Sequence, residues 1–514
     1  MLTLQKEHLK WLESFFKYVV IGVFAHSLLV SNAVKAESIL GDWPDSDSGS
    51  EWFSDLSDEG QEEEESLEEG LRENLTINGY LKNEVAYRYD EPRSITKIRN
   101  ILYLNGDYLI DDNRKLVFSA WAYHDLAYDL FDYETIAARF VRDSDKPLVF
   151  LDNLEQKKDS PVAEFRELYL DMYGENLDFR IGKQFVVWGV FDGVRVTDEI
   201  NPQDFRELIL PDLLDYRIPL WTVKADYYSD SGNWQVLWIP DIKFHRPAPP
   251  GSEWELLQEV ANTTFPDSFE FKNSELGFRY SSELYDTQFS LSYFYTWDDF
   301  PVIFRTVKID SSAEPFFYPT YTRINMYGAT FVRPVGDTIV KGEMVYVPDK
   351  YFGLTRETDR NNDGFLDSEG ELQLKHFRWA LGVDFNKWSI DFSPAISQWI
   401  ILDYDNQLIQ DEYDTSITLF ARKPLPENSA VMQVLFIWLV NMEELYIKPK
   451  YSFDVTDRFK MAFGMDLFYG AQSKLGVSAS GGAVANLNAV EQSAQFFGNF
   501  HNNDRVFVEF KYTF

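Results

Sequence analysis

The chain of 514 residues contains no cysteine. Disulfides, thiolate metal centres and a cysteine nucleophile are therefore excluded. Histidine is scarce: of six in all, only His124, His245, His376 and His501 lie beyond the first 36 residues. No G-x-S-x-G, H-E-x-x-H or glycine-rich phosphate loop occurs, so nothing in the sequence supports an enzyme. Basic residues are outnumbered 48 to 84 by acidic ones, giving a formal charge of −36. Phosphate neutralisation needs clustered Lys and Arg, so nucleic acid is not an expected partner. Apart from Tyr18 to Val30 there is no long apolar run, which excludes a bundle of membrane-spanning helices. Aromatic residues, in contrast, reach 17%.

The N-terminus reads as an address. Lys6, Lys10 and Lys17 precede the apolar stretch, and Val34-Lys35-Ala36 suits a signal peptidase. Residues 1–36 are expected to be a cleaved secretory leader. Residues 37–74 follow as an acidic segment with the run Glu62-Glu63-Glu64-Glu65. Such charge density repels itself and offers little to bury, so a disordered periplasmic tail is expected. Trp43, Trp52 and Phe53 keep open a docking role toward a periplasmic export partner.

From Leu75 the pattern has a period of two. Val506, Val508, Phe510, Tyr512 and Phe514 alternate with Arg505, Phe507, Glu509, Lys511 and Thr513. One apolar and one polar face on a single strand indicates a wall between two solvents. The same alternation recurs around Phe289–Trp297, Phe377–Phe385 and Met461–Tyr469. About 18 such segments can be placed, among them 165–173, 178–189 and 271–281. Short turns such as Asp111-Asp112-Asn113 and Asn386-Lys387 alternate with long connections such as 128–164, 190–219 and 470–504. The expected fold is all-β: a transmembrane antiparallel up-and-down β-barrel over 75–514, with short periplasmic turns and long extracellular loops. Outer-membrane lipid is then the expected surroundings. The terminal Phe514 on an amphipathic strand resembles the C-terminal signal of Gram-negative outer-membrane proteins.

Inward positions carry charges of both signs: Glu167 and Asp171, Arg180 with Gln184, Lys341 and Glu343, Arg378, Lys448 and Lys450, Glu509 and Lys511. A hydrated interior tolerates them, and they are candidates for sorting solutes. A barrel whose charges pair across the wall is the alternative. Between Arg180 and Arg217 the sequence holds Gly182-Lys183-Gln184, Trp188-Gly189, Asp192, Asp198 and Asn201-Pro202-Gln203-Asp204. A loop with these polar residues and helical turns after Asp204 is a candidate constriction, or a cap on the outer mouth. The stretch resembles a large family of little-characterised Gram-negative outer-membrane barrels, which in turn are similar to the alginate-export porins of 18 strands. The resemblance implies a channel or export role for small or extended polar solutes. Arginine does not dominate the inward positions, which departs from the alginate-binding pattern. A barrel that only anchors working loops, or one that serves a trans-envelope export system, is the competing expectation.

Asp359, Asn361 and Asp363 stand at alternate positions, followed by Gly364, Phe365 and Asp367. Their side-chain oxygens and the Phe365 carbonyl converge in the manner of a calcium loop. Gly370 occupies the twelfth position in place of Glu. Oxygen donors favour Ca²⁺ in a structural role over zinc.

Overall fold

The computed structural model describes residues 74–131, 136, 161–191, 193–212, 215–248, 252–254, 263–306, 316–354, 370–471 and 496–514. The expected leader, nearly all of the acidic segment and the whole Asp359–Asp367 motif lie outside them.

Among the described residues twenty strands follow in chain order. They are β1 (Leu75–Arg88), β2 (Ser94–Asp111), β3 (Arg114–Asp125), β4 (Val162–Met172), β5 (Leu177–Gln184), β6 (Leu220–Ser229) and β7 (Gly232–Ile239). Then come β8 (Glu275–Leu284), β9 (Thr287–Trp297), β10 (Val302–Thr306), β11 (Phe316–Thr320), β12 (Arg323–Val335) and β13 (Thr338–Gly353). The last are β14 (Glu371–Lys387), β15 (Ile390–Leu402), β16 (Tyr413–Leu425), β17 (Ala430–Leu439), β18 (Glu444–Asp454), β19 (Phe459–Tyr469) and β20 (Arg505–Thr513). Eighteen of them form one sheet in which each strand pairs antiparallel with its chain neighbours. The pairing of β20 with β1, from Tyr80–Thr513 to Arg88–Arg505, closes the sheet into a barrel. The hairpin β10–β11 stands apart in the connection between β9 and β12. Closure leaves no sheet edge to seek another partner, the condition for a sheet in lipid.

The predicted strand at 178–189 ends earlier, at Gln184, because the chain turns away from the wall there. The one predicted at 271–281 begins at Glu275, since Phe271–Asn273 forms a 3₁₀ turn. Two of the two-residue hairpins turn at Tyr285-Asp286 and Trp388-Ser389, with all four residues at positive φ of 48–58°. That geometry follows the right-handed twist of the flanking strands. The Tyr285 and Trp388 rings belong to an outward belt near the short turns, where Trp234 leans against Tyr280 with ring centroids 4.6 Å apart. Trp221, Trp238, Trp438 and Tyr469 are exposed near the other rim. Aromatic side chains suit the two membrane interfaces, and the apolar band lies between them.

Candidate functional site

The connection between β5 and β6 crosses the interior as a strap. Gln184 fixes its point of departure: the side chain is fully buried and its amide donates to the Thr222 carbonyl at 3.0 Å. Asn201 binds the two limbs together, accepting from the Val186 amide at 2.8 Å and donating to the Ile218 carbonyl at 2.9 Å. Arg217 pairs with Asp198 at 2.5 Å, and Arg195 donates to the carbonyls of Asp198 and Asn201. Asp204 caps the short 3₁₀ turn Phe205–Glu207 and holds Arg206 and Arg246. Of the strap residues expected to matter, Asp192 lies outside the described residues.

Two opposite walls hold the strap. On β13, Glu343 accepts from the Val190 amide at 2.5 Å, the Phe191 amide at 3.1 Å, the Thr197 amide at 2.8 Å and the Thr197 hydroxyl at 2.7 Å. A carboxylate accepting this many hydrogen bonds is a strong, geometrically defined anchor. Arg378 on β14 adds an ion pair to Glu199 at 3.1 Å. Apolar contacts reinforce this side, as Val186, Trp188, Phe191, Val196 and Ile200 pack on Leu237, Phe294, Met326, Val345 and Ala380. The wall makes room with glycine. A Cβ on Gly277 would meet the Trp188 ring at 2.8 Å, and one on Gly382 would meet the Phe191 ring at 2.5 Å.

The tip meets the far wall. Glu207 receives Lys97 at 2.6 Å and pairs with Arg99, both on β2. Lys448 on β18 donates to the Leu210 carbonyl at 2.5 Å. Leu208 and Leu210 join Trp254, Tyr446, Phe468, Phe497 and Phe500 in a second apolar cluster. Burial by itself would raise the Glu207 carboxyl, but Arg99 and Lys97 hold it down at about 2. Glu199 is likewise held below the usual range: burial opposes its charge, and Arg378, Arg195 and Lys350 together outweigh burial. For Glu253, wholly buried near the tip, burial exceeds the opposing effects of a backbone hydrogen bond, Arg88 and Arg505 and pushes the carboxyl up to about 7.

The remaining expected lumen residues are paired along the wall. Arg180 bonds Asp171 at 2.6 Å and lies over the Tyr169 ring. Glu167 meets the Ser119 hydroxyl at 3.5 Å. Lys341 pairs with Asp384 at 2.8 Å, and Lys450 with Glu509 at 2.8 Å. Lys511 sits 3.9 Å above the Tyr80 ring. A cavity of about 120 Å³ is left between the tip and the wall, lined among others by Lys82, Glu84, Lys97, Arg99, Asp212 and Glu509. His376 is buried with its ring edge-on to Phe352 and Trp399, a packing role. Among the described residues no group of three or more His, Asp or Glu is placed to hold a metal.

Sequence reasoning did not single out Lys97, Arg99, Glu199 or Glu207. The first two carry a period-two signal on β2. The others sit in irregular backbone, where no periodicity marks a side chain as buried.

The family model described as "Protein of unknown function (DUF1302)" matches residues 81–241 and 272–503. The chain belongs to this family. The matched segments take in the strap and both of its anchors, so the site is part of the family's shared region. Among curated proteins no relative matches the chain. Among solved structures it is similar to OccAB3 of Acinetobacter baumannii, at 8% identity and a TM-score of 0.46, covering 86% of this chain and 99% of that one. It is also similar to OccAB4 of the same organism, at 10% identity and a TM-score of 0.45 over 86% and 98%. The third is OpdK of Pseudomonas aeruginosa, solved with vanillate, at 9% identity and a TM-score of 0.44 over 86% and 99%.

Proposed function

We propose that this DUF1302 protein is an outer-membrane channel for polar solutes whose aperture is set by the strap at 185–219. The observation that carries this reading is the two-sided anchoring of the strap, on Glu343 of β13 and on Lys97 and Arg99 of β2. A segment pinned across a closed barrel narrows the path without blocking insertion in the membrane, and its charged ends bias what enters. Asp171, Arg180, Lys341, Arg378, Lys450 and Glu509 then act as fixed ion pairs, Glu167, Lys448 and Lys511 keep their charge against neutral partners, and Gln184 fixes the strap's departure. Asp198, Asn201, Asp204 and Arg217 keep the strap in shape. Planar-bilayer recording of the refolded chain tests this. Stable ohmic steps are expected, and a correctly folded barrel that never conducts would sink the channel reading.

The second reading is a barrel that anchors working loops at the surface. The apolar cluster of Leu208, Leu210, Trp254 and Phe500 favours it, because it fills part of the lumen near the tip. Polyuronate export and a periplasmic partner for residues 37–74 rest on the sequence alone. So does Ca²⁺ in the loop of Asp359, Asn361, Asp363, Phe365 and Asp367, with affinity of roughly 10⁻⁴–10⁻³ M. Calcium titration followed by calorimetry should give saturable binding that the D359A/D363A double variant removes. Equal heats from both proteins would dismiss the site.

A further inference from the structure

The charges of the lumen are unevenly distributed. The inner face of β1, β2, β18 and β20 carries Lys82, Glu84, Lys97, Arg99, Lys450 and Glu509, tied to one another and to the strap. The inner face of β15 and β16 is different. Its orientation follows from the register: Trp399 stands opposite Arg378, whose guanidinium reaches the strap, and Ala395 packs against the strap's apolar cluster. Ser397 and Ser416 face each other and share a hydrogen bond of 2.6 Å. The inward rungs are therefore Ser393 with Phe420, Ala395 with Thr418, Ser397 with Ser416, and Trp399 with Asp414.

Three successive rungs, from Ser393–Phe420 to Ser397–Ser416, hold no charge. Asp391 with Arg422 bounds them toward the short turns and Asp414 toward the loops. Across the next seam, Leu435 and Ile437 continue the uncharged surface opposite Phe420 and Thr418. Trp399 is 41% exposed although it points inward, so its indole faces open lumen. The strap reaches Ala395 from the β13–β14 side and its tip cluster reaches Leu435 and Ile437, so the surface left open between them is formed by half-buried Ser393, Ser416, Thr418 and Phe420 with exposed Trp399.

We propose that the open passage runs along β15–β16 and takes an uncharged, polyhydroxylated solute with an apolar face, a carbohydrate-like molecule, rather than an ion. Hydroxyls of Ser393, Ser416 and Thr418 exchange hydrogen bonds with such a solute without desolvating a charge. The Trp399 and Phe420 rings offer flat apolar surface to its C–H face. Several of the lumen's charges sit in ion pairs, Arg180 with Asp171, Lys341 with Asp384 and Lys450 with Glu509, which limits the net bias. The proposal rests on the channel reading.

Single-channel recording with maltotriose as the probe tests it. The expected results are a potassium-to-chloride permeability ratio within about threefold of unity and transient current blocks by maltotriose. W399A should weaken the block about tenfold while W399F keeps most of it. Because W399F retains a ring, loss of the block in both variants with intact conductance would point to misplacement of the site and overturn the proposal. A strong preference for either ion, or no block in the parent protein, would overturn it as well. A folded barrel with no conductance at all would instead remove the channel reading on which it rests.

Discussion

At the scale of single residues, Glu343 on β13 is the wall group that takes the most hydrogen bonds from the strap. Its four hydrogen bonds come from three backbone amides and one hydroxyl of the loop. Replacing it with Ala leaves those donors unpartnered, at about 1–3 kcal/mol for each that stays buried. E343A is expected to conduct more, with noisier steps than the parent, because that end of the strap is released; unchanged current records would contradict the anchoring role. Glu253 tests a different force. Its carboxyl is raised to about 7 by burial. The folded state therefore binds a proton that the unfolded chain has released above its ordinary carboxylate range. Stability from this group is fully present at low pH and is lost as pH rises toward about 7. Relative to the intrinsic base-catalysed exchange rate, the amides of Ser252–Trp254 should be less protected at pH 8 than at pH 5, and E253Q should flatten that difference. If the difference persists in E253Q, the carboxyl is not its source.

At the scale of elements, the strap is a loop whose backbone is satisfied by side chains rather than by a ladder. Asn201, Arg195 and Glu343 together serve its carbonyls and amides, as a buried irregular segment requires. The sequence made the loop visible through its asparagine, aspartates and the Trp188-Gly189 pair. Its destination was not visible, because Glu343 and Lys97 are 146 and 110 positions away from the strap atoms they hold. Excision of residues 190–216, with a short Gly-Ser bridge, should enlarge conductance while the barrel stays folded. The wall strands pair with each other independently of the strap, so their ladders survive its removal. A barrel that no longer forms after excision would mean that the strap is a folding element and not only a constriction.

At the scale of the whole molecule, one pairing decides closure. β20 joins both β19 and β1, and Phe514 exchanges backbone hydrogen bonds with Gly79 at 3.0 and 3.2 Å. Truncation before Arg505 would expose two strand edges to lipid, so the heat-resistant folded band on electrophoresis should disappear; its persistence would show that the barrel closes another way. The sequence by itself determined the strands, their faces and their number. Side-chain alternation is a local property, and a wall between lipid and a hydrated lumen imposes it on every strand. Within a regular stretch a period of two also says which residues share a face, but irregularities at Ala86–Tyr87, Ser119–Ala120 and Val347–Lys350 shift the register and leave no local mark. The tertiary structure decided what those residues touch. Pairing of Lys450 with Glu509, capture of Glu207 by Lys97 and Arg99, and the uncharged surface left on β15–β16 depend on which walls the strap reaches. Contacts between elements far apart in the chain follow from closure of the barrel and have no local signature.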